Sequence, residues 1–453
     1  MTVYDFLSDF AIASLFILVG QFLRAKIKFF QEFFIPSSLL AGFMGLILGK
    51  QFLNVLHFSD GAGSYAGMLI IIVFTVVGLN GFEIKKGEGA ETMRRVTSFN
   101  SYRFLAYFIQ FTLGIGATLI IVKFLMPNLN PGFGILMASG FTGGHGTAAA
   151  VGKTFADLGW AEAGDLGMTF ATVGILSGVF GGLIFIKIAT KLGWTAYVKD
   201  FRFIDNDLRT GLVAKNHRKS MGQETISSVS LDSLGFHVAM VAMIAGFGYL
   251  LNSKVLAVHV IKGIPDFTVA YLLGLAFFLI FRKTKVYDYV DKNVNSRISG
   301  TATDFLVFFG VAMINTKVIV EYALPLILLI LVGLVCVVIC VVPMGYRMNH
   351  KSWFERSIFV YGYSTGVFAI GFVLLRIVDP DNKSHTVDDT AMTPWLSFCE
   401  IFTWSTVPVA LINGQGWFVV GICALICVVA VAICLVGKMW YKDSPAGRGG
   451  YDA

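Results

Sequence analysis

The sequence predicts an all-α polytopic membrane protein built from two inverted-topology repeats of about five spans. Each repeat carries a re-entrant hairpin, and one extra span follows the second. Three observations predict this: composition, the distribution of positive charge, and landmarks that recur in the same order. Of 453 residues, 56% are hydrophobic and only 14% charged, far from the roughly one-quarter charged of soluble domains. The apolar residues gather in blocks of about 20, the length that crosses a hydrocarbon core of roughly 30 Å.

The spans read near residues 5–23, 33–53, 65–81, 104–125, 165–190, 232–252, 264–281, 301–316, 320–343, 394–412 and 416–437. Segments 132–155 and 357–375 are apolar but rich in Gly and hydroxyl residues, and read as re-entrant hairpins. The first block follows Met-Thr-Val-Tyr-Asp, with no positive leader and no small-residue cleavage site, so it is expected to be a span and not a signal peptide.

With the N-terminus outside, the inward segments hold Arg24, Lys26 and Lys28, then Lys85, Lys86, Arg94, Arg95 and Arg103. The middle segment adds Lys187, Lys191, Lys199, Arg202, Arg209, Lys215, Arg218 and Lys219. The second half adds Arg282, Lys283, Lys285, Lys292, Arg297, Arg347, Lys351, Arg356, Arg376 and Lys383, and the tail Lys438, Lys442 and Arg448. That places 29 of 35 basic residues inside; the others are Lys50, Lys123, Lys153, Lys254, Lys262 and Lys317. The bias sets the orientation, with the C-terminus cytoplasmic. It also accounts for the net charge of +7 without a nucleic-acid partner. A hairpin that crossed fully would flip every later segment and destroy the bias.

The halves share landmarks. Ile35-Pro36 precedes Ala41 and Gly45, and Ile264-Pro265 precedes Ala270 and Gly274 at the same spacing. Val77-Gly78-Leu79-Asn80 and Ala312-Met313-Ile314-Asn315 each end an apolar span in Asn, and the Gly144 and Gly362 hairpins follow. Five spans per half is odd, so the second half starts on the opposite side, the plan of inverted repeats in secondary transporters. Residues 1–192 form the first repeat, 193–230 a polar cytoplasmic linker, 231–415 the second repeat, and 416–453 the extra span with its tail.

Thr142-Gly143-Gly144-His145-Gly146-Thr147 lies at mid-membrane depth opposite Tyr363-Ser364-Thr365-Gly366. Unwound backbone exposes carbonyls to a cation, and the half-helix N-terminus beyond presents N–H groups to an anion. The competing reading is glycine used purely for helix packing. His145 suits a proton relay, a substrate donor or a satisfied core residue. Arg376 suits a bidentate carboxylate clamp, or a snorkelling partner of Asp379 or Asp381. Asn80 and Asn315 suit helix caps or, with Thr142 and Ser364, oxygen ligands for sodium. Asp304, Glu321 and Glu400 read as interfacial. The six cysteines sit in apolar runs and read as small hydrophobes, since nothing beside them completes a metal site. No Walker A run, nucleotide fold or catalytic set appears, which leaves no enzyme and no cofactor to expect.

Together these motifs resemble the bacterial sodium/glutamate symporter family. The matching stretches are Ile35-Pro36 with Ala41-Gly42, Phe74 to Asn80, Gly143-Gly144-His145-Gly146-Thr147-Ala148-Ala149, and more loosely Tyr346-Arg347-Met348 with Gly362 to Gly366. The chain departs from the family pattern in its second hairpin, which has no Thr-Pro, at Thr403-Trp404-Ser405-Thr406, and in the extra span. The resemblance implies sodium-coupled uptake of glutamate or a related small anion across the bacterial inner membrane. It further implies a homodimer in the lipid bilayer and elevator-like movement, with Na+ as coupling ion. The alternatives are a proton-coupled or exchange carrier with His145 as relay, and a channel with the hairpins as filter.

Overall fold

In the computed structural model the chain is helical along almost its whole length. The structure describes residues 3–33, 35–81, 90–197, 207, 210–218, 220–260, 265–379, 383–391, 395–444 and 449–450. Lys85, Lys86, Lys199, Arg202, Arg209, Lys219, Lys262, Ile264, Asp381 and Arg448 lie outside them. The first half supplies α1 (Val3–Lys26), α2 (Ser37–Leu48), α3 (Tyr65–Asn80), α4 (Ala90–Phe124), α5 (Phe133–Asp157) and α6 (Ala163–Lys191). The second supplies α7 (Ser233–Leu251), α8 (Asp266–Phe281), α9 (Lys292–Ala312), α10 (Ala323–Ile339), α11 (Trp353–Thr365), α12 (Phe368–Val378) and α13 (Trp395–Ile412), with α14 (Gly416–Val436) last.

Local chemistry sets several boundaries. Pro36 and Pro265 stand just before α2 and α8 in extended conformation, so each helix starts where a proline lacks an N–H to give. The Asp291 carboxylate accepts from the Asn293 and Val294 amides and starts α9 nine residues earlier than hydropathy suggests. Helix α4 likewise begins at Ala90, since no proline interrupts the run to Phe124. Arg94, Arg95 and Arg103 therefore ride on a helix and not on a loop. The span expected over 33–53 is a helix of only 12 residues, stopped by Gly49.

Seven helices among the described residues are long and apolar enough to cross a membrane, and three shorter apolar ones accompany them. Their outer faces are apolar: Leu15, Leu18 and Phe22 on α1, Phe247 and Leu250 on α7, Leu425 and Val428 on α14 all stand exposed. Exposed apolar surface on this scale belongs against lipid. The protein is a multi-pass membrane protein.

Two groups of helices emerge from the packing. In one, α2 packs on α1 and α9, α8 packs on α7 and α3, and α3 crosses α9. Small residues permit these approaches: Gly45 meets Ala312 and Phe308, while Gly274 meets Thr75 and Leu79. Gly45 and Gly274 thus each face a helix of the other half, while Ala41 and Ala270 face Gly20 on α1 and Gly248 on α7 of their own. In the other group α5 and α6 pack together, α10 and α14 flank α4, and α11 packs on α12 and α6.

Helix α5 would run about 37 Å if its 25 residues were straight. Instead Gly132 abuts the Phe155 and Trp160 rings, and the Phe133 and Trp160 rings lie 5.4 Å apart. The chain doubles back at Gly144, and both legs pack on α6: Gly152 at Gly164, then Leu136 and Ala148 at Gly167, then Gly140 at Ala171. Helices α11 and α12 make the equivalent turn. Gly362 packs on Gly371, and the Phe359 and Phe372 rings are 5.1 Å apart.

A Cβ at Gly274 would lie 2.6 Å from the Thr75 carbonyl oxygen, whereas none of the surrounding atoms comes within 4 Å of one at Gly246. Gly274→Val is expected to lower stability by about 1–3 kcal/mol, the usual cost of overpacking. Gly246→Ala, mid-helix and with room for the methyl, is expected to hold or slightly raise the thermal unfolding midpoint of the purified protein.

Candidate substrate and ion site

The two reversals meet. Gly144 has φ 64° and ψ −158°, a conformation open essentially to glycine alone. A Cβ there would strike the Val367 side chain and come 3.2 Å from the Gly366 carbonyl oxygen. Gly366 and Val367 are themselves the break between α11 and α12, at φ −133°, ψ −104° and φ −144°, ψ 167°. Helix α6 receives the second tip through small residues: a Cβ at Gly174 would strike the Thr365 carbonyl oxygen, and one at Gly178 would come 2.6 Å from the Thr365 hydroxyl.

Helix N-termini lead away from both breaks. The second leg of α5 starts at His145, and α12 starts at Phe368 with no side-chain cap on its first N–H groups. Each end carries the positive pole of its helix, the setting in which carboxylates bind. Helix C-termini lead in, so carbonyl oxygens face the same region. The Ser364 carbonyl accepts from Gln110 Nε2 at 2.8 Å, and the Gly143 carbonyl from the Thr147 hydroxyl at 3.1 Å.

Most residues singled out in the sequence come together here. His145 is buried, with Nε2 2.9 Å from the Thr172 hydroxyl and Nδ1 without a partner among the described residues. The Ser364 hydroxyl and Gln110 Oε1 are buried and lack partners in the same sense. The Thr142 and Thr365 hydroxyls donate to carbonyls one turn back on their own helices, at 2.7 and 2.9 Å, which leaves their oxygens free only to accept. The Tyr363 ring stacks on Phe368 at 5.0 Å.

Three residues lie elsewhere. Arg376 is exposed in the last turn of α12, more than two turns past the tip. Asn80 and Asn315 sit at opposite ends of α9, about 30 Å apart by helix rise. Asn80 ties α3 to α9 by accepting from Asn295 Nδ2 at 3.1 Å, and Asn315 caps the Thr316–Glu321 helix by accepting from the Lys317 amide at 3.1 Å.

In exchange the structure brings in side chains that the sequence did not place at the site. Arg103 is buried, with its guanidinium carbon 5.7 Å from both the Tyr363 and Phe368 ring centroids. Glu400, expected at an interface, is buried within electrostatic reach of it. Arg356 and Arg95 converge on a fully buried Asp389 at the base of the second hairpin. The spacing Arg103, Tyr107, Gln110 puts all three on one helix face, a polar stripe inside an apolar run that the sequence alone displays.

A cavity of about 860 Å³ lies between α3, α7, α9 and the second leg of α5. It reaches Ala149, one turn from His145, and Lys153, Asp157, Asp165 and Asp266 supply its charge. Lys153 is 2.9 Å from Asp157 and 3.6 Å from Asp266.

Because Gly144 admits no Cβ and touches the opposite tip, Gly144→Ala is expected to cost about 1–3 kcal/mol locally. Ligand-induced thermal stabilisation should disappear while the protein still purifies as a folded species.

Comparison with known proteins gives the family. A relative from Haemophilus influenzae (strain ATCC 51907 / DSM 11121 / KW20 / Rd), named sodium/glutamate symporter, is 30% identical over 181 residues, 38% of this chain and 41% of the relative. The match thus spans about two-fifths of that relative's length. The model of the sodium/glutamate symporter family matches residues 3–372, from α1 into α12 and through both breaks. The chain belongs to the sodium/glutamate symporter family.

Proposed function

We propose that this protein is a secondary active transporter that couples sodium entry to uptake of glutamate, or a related small amino acid or organic anion, by alternating access. The observation that carries this reading is the meeting of two broken helices at Gly144 and Gly366–Val367. Two helix N-termini there favour a carboxylate, and the carbonyls of the incoming legs, with the Thr142 and Ser364 oxygens, suit Na+. Family membership supports the ion and the substrate class.

The finer architecture follows the same reading. Residues 1–192 and 231–415 are two inverted repeats, supported by the exchanged packing of α2 on α9 and α8 on α3. The doubled-back helices are re-entrant loops entering from opposite sides, and 193–230 links the halves in the cytoplasm. The inward bias of basic residues supports an outside N-terminus in the bacterial inner membrane. Helices α4–α6 and α10–α13 carry the site past the scaffold of α1–α3 and α7–α9 in an elevator-like step, and the resemblance to the family supports a homodimer. The cavity beside Lys153 is the route to the site in this conformation.

Proteoliposomes containing the purified chain are expected to accumulate labelled glutamate only under an inward sodium gradient, and both solutes together should raise its unfolding temperature. Uptake that ignores sodium would sink the coupling.

One observation favours a second reading, in which protons drive an organic-anion carrier. Buried His145 holds Thr172 through one nitrogen and leaves the other without a protein partner. Under that reading His145→Gln abolishes the pH dependence of uptake; under sodium coupling the dependence on a sodium gradient survives the substitution.

A further inference from the structure

We infer that the buried face Arg103–Tyr107–Gln110 of α4 is the specificity wall of the tip site, with Arg103 taking the side-chain carboxylate of an acidic amino acid and Gln110 its ammonium group. This rests on the symport reading and assigns which groups choose the substrate.

A carboxylate at the two helix N-termini accounts for one end of an amino acid. The rest of an acidic amino acid then needs a cation for its second carboxylate and an acceptor for its ammonium. Arg103 is the buried guanidinium beside the tip: Phe368, whose ring lies 5.7 Å from it, follows the break directly. Tyr363, also at 5.7 Å, precedes the break by three residues, and the two rings stack on each other at 5.0 Å. Aromatic rings attract a guanidinium by cation–π contact, and its edge is the part that matches a carboxylate in bidentate fashion. Glu400, buried on α13 within reach of Arg103, is an internal carboxylate that the substrate displaces.

Gln110 lies two turns along the same face. Its Nε2 fixes the amide on the Ser364 carbonyl at 2.8 Å, and this leaves Oε1, buried and without a partner among the described residues, as an acceptor beside the tip. An ammonium supplies the donor that such an oxygen lacks. Arg376 stands exposed on the far part of α12 and cannot do this work, and Arg356 and Arg95 are held by Asp389 at the hairpin's base.

The test is competition by glutamate, glutamine and glutarate in proteoliposomes of the full chain. Wild type should prefer glutamate to glutamine, which lacks the second charge, and to glutarate, which lacks the ammonium. Arg103→Gln should raise the half-saturating glutamate concentration about tenfold or more, as loss of a charge-assisted hydrogen bond does, and leave glutamine unchanged. Gln110→Leu should erase discrimination against glutarate. If Arg103→Gln does not fold, Arg103→Lys keeps the charge without the fork and should still weaken glutamate selectively. Equal weakening of all three ligands overturns the inference. So does return of glutamate preference in Arg103→Gln/Glu400→Gln, which would make Arg103 only the counter-charge of Glu400. Wild type that transports none of the three overturns the symport reading and this inference with it, whereas wild type selective for glutamate beside an unaltered Arg103→Gln overturns the inference alone.

Discussion

A backbone amide or carbonyl left unpaired in hydrocarbon has no water to turn to, and this constraint governs the structure. The chain breaks two helices deep in its interior and so frees several such groups. It can do so because each break covers the other: Val367 closes over Gly144, and Gly366 presents its carbonyl there. Helix α6 carries small residues at Gly174 and Gly178 so that the second tip can seat directly on backbone. Gln110 reaches across to hold the carbonyl of Ser364. A pair of breaks so enclosed keeps its polar groups for a ligand.

The same economy applies to charge. A buried ion is tolerable when a partner or a polarisable face stands beside it. Arg356 lies over the Phe99 ring at 4.6 Å and shares Asp389 with Arg95, which fastens the base of the second hairpin to α4. Arg103 lies about two helical turns beyond Arg95 on α4, against Phe99, Tyr363 and Phe368. One helix thus anchors the hairpin at its base and lines it at its tip.

Much of this was legible in the sequence, and the remainder was hidden for physical reasons. The blocks of hydrophobicity marked the helices, and the Gly-Gly-His-Gly run marked the sharpest break because only glycine holds that backbone. The length of α4 and α9 was hidden, since polar helical turns extend past the apolar stretch on which a span is judged. Arg103 and Glu400 looked like boundary charges for the same reason: hydropathy treats a buried arginine as the end of a span. Arg376 sits near the tip along the chain, yet helical rise carries it two turns away. Asn80 and Asn315 were recognisable as matched positions, but only the fold shows that they are separated by the length of α9.

The packing of α2 on α9 and of α8 on α3 has a consequence for biosynthesis. Helix α3 is made early, yet its Gly78 face is completed only when Tyr271 and Leu275 of α8 arrive. Helix α2 likewise waits for Val311 and Ala312 of α9. The first tip, at Gly144, is uncovered until Val367 is synthesised, more than two hundred residues later. The first half therefore sits in the membrane with its own pairs packed, α5 on α6 and α1 on α2, but with these faces open while the second half is delivered. These faces close only after the second half is made, and an exposed intermediate in that interval is the one open to quality-control proteases.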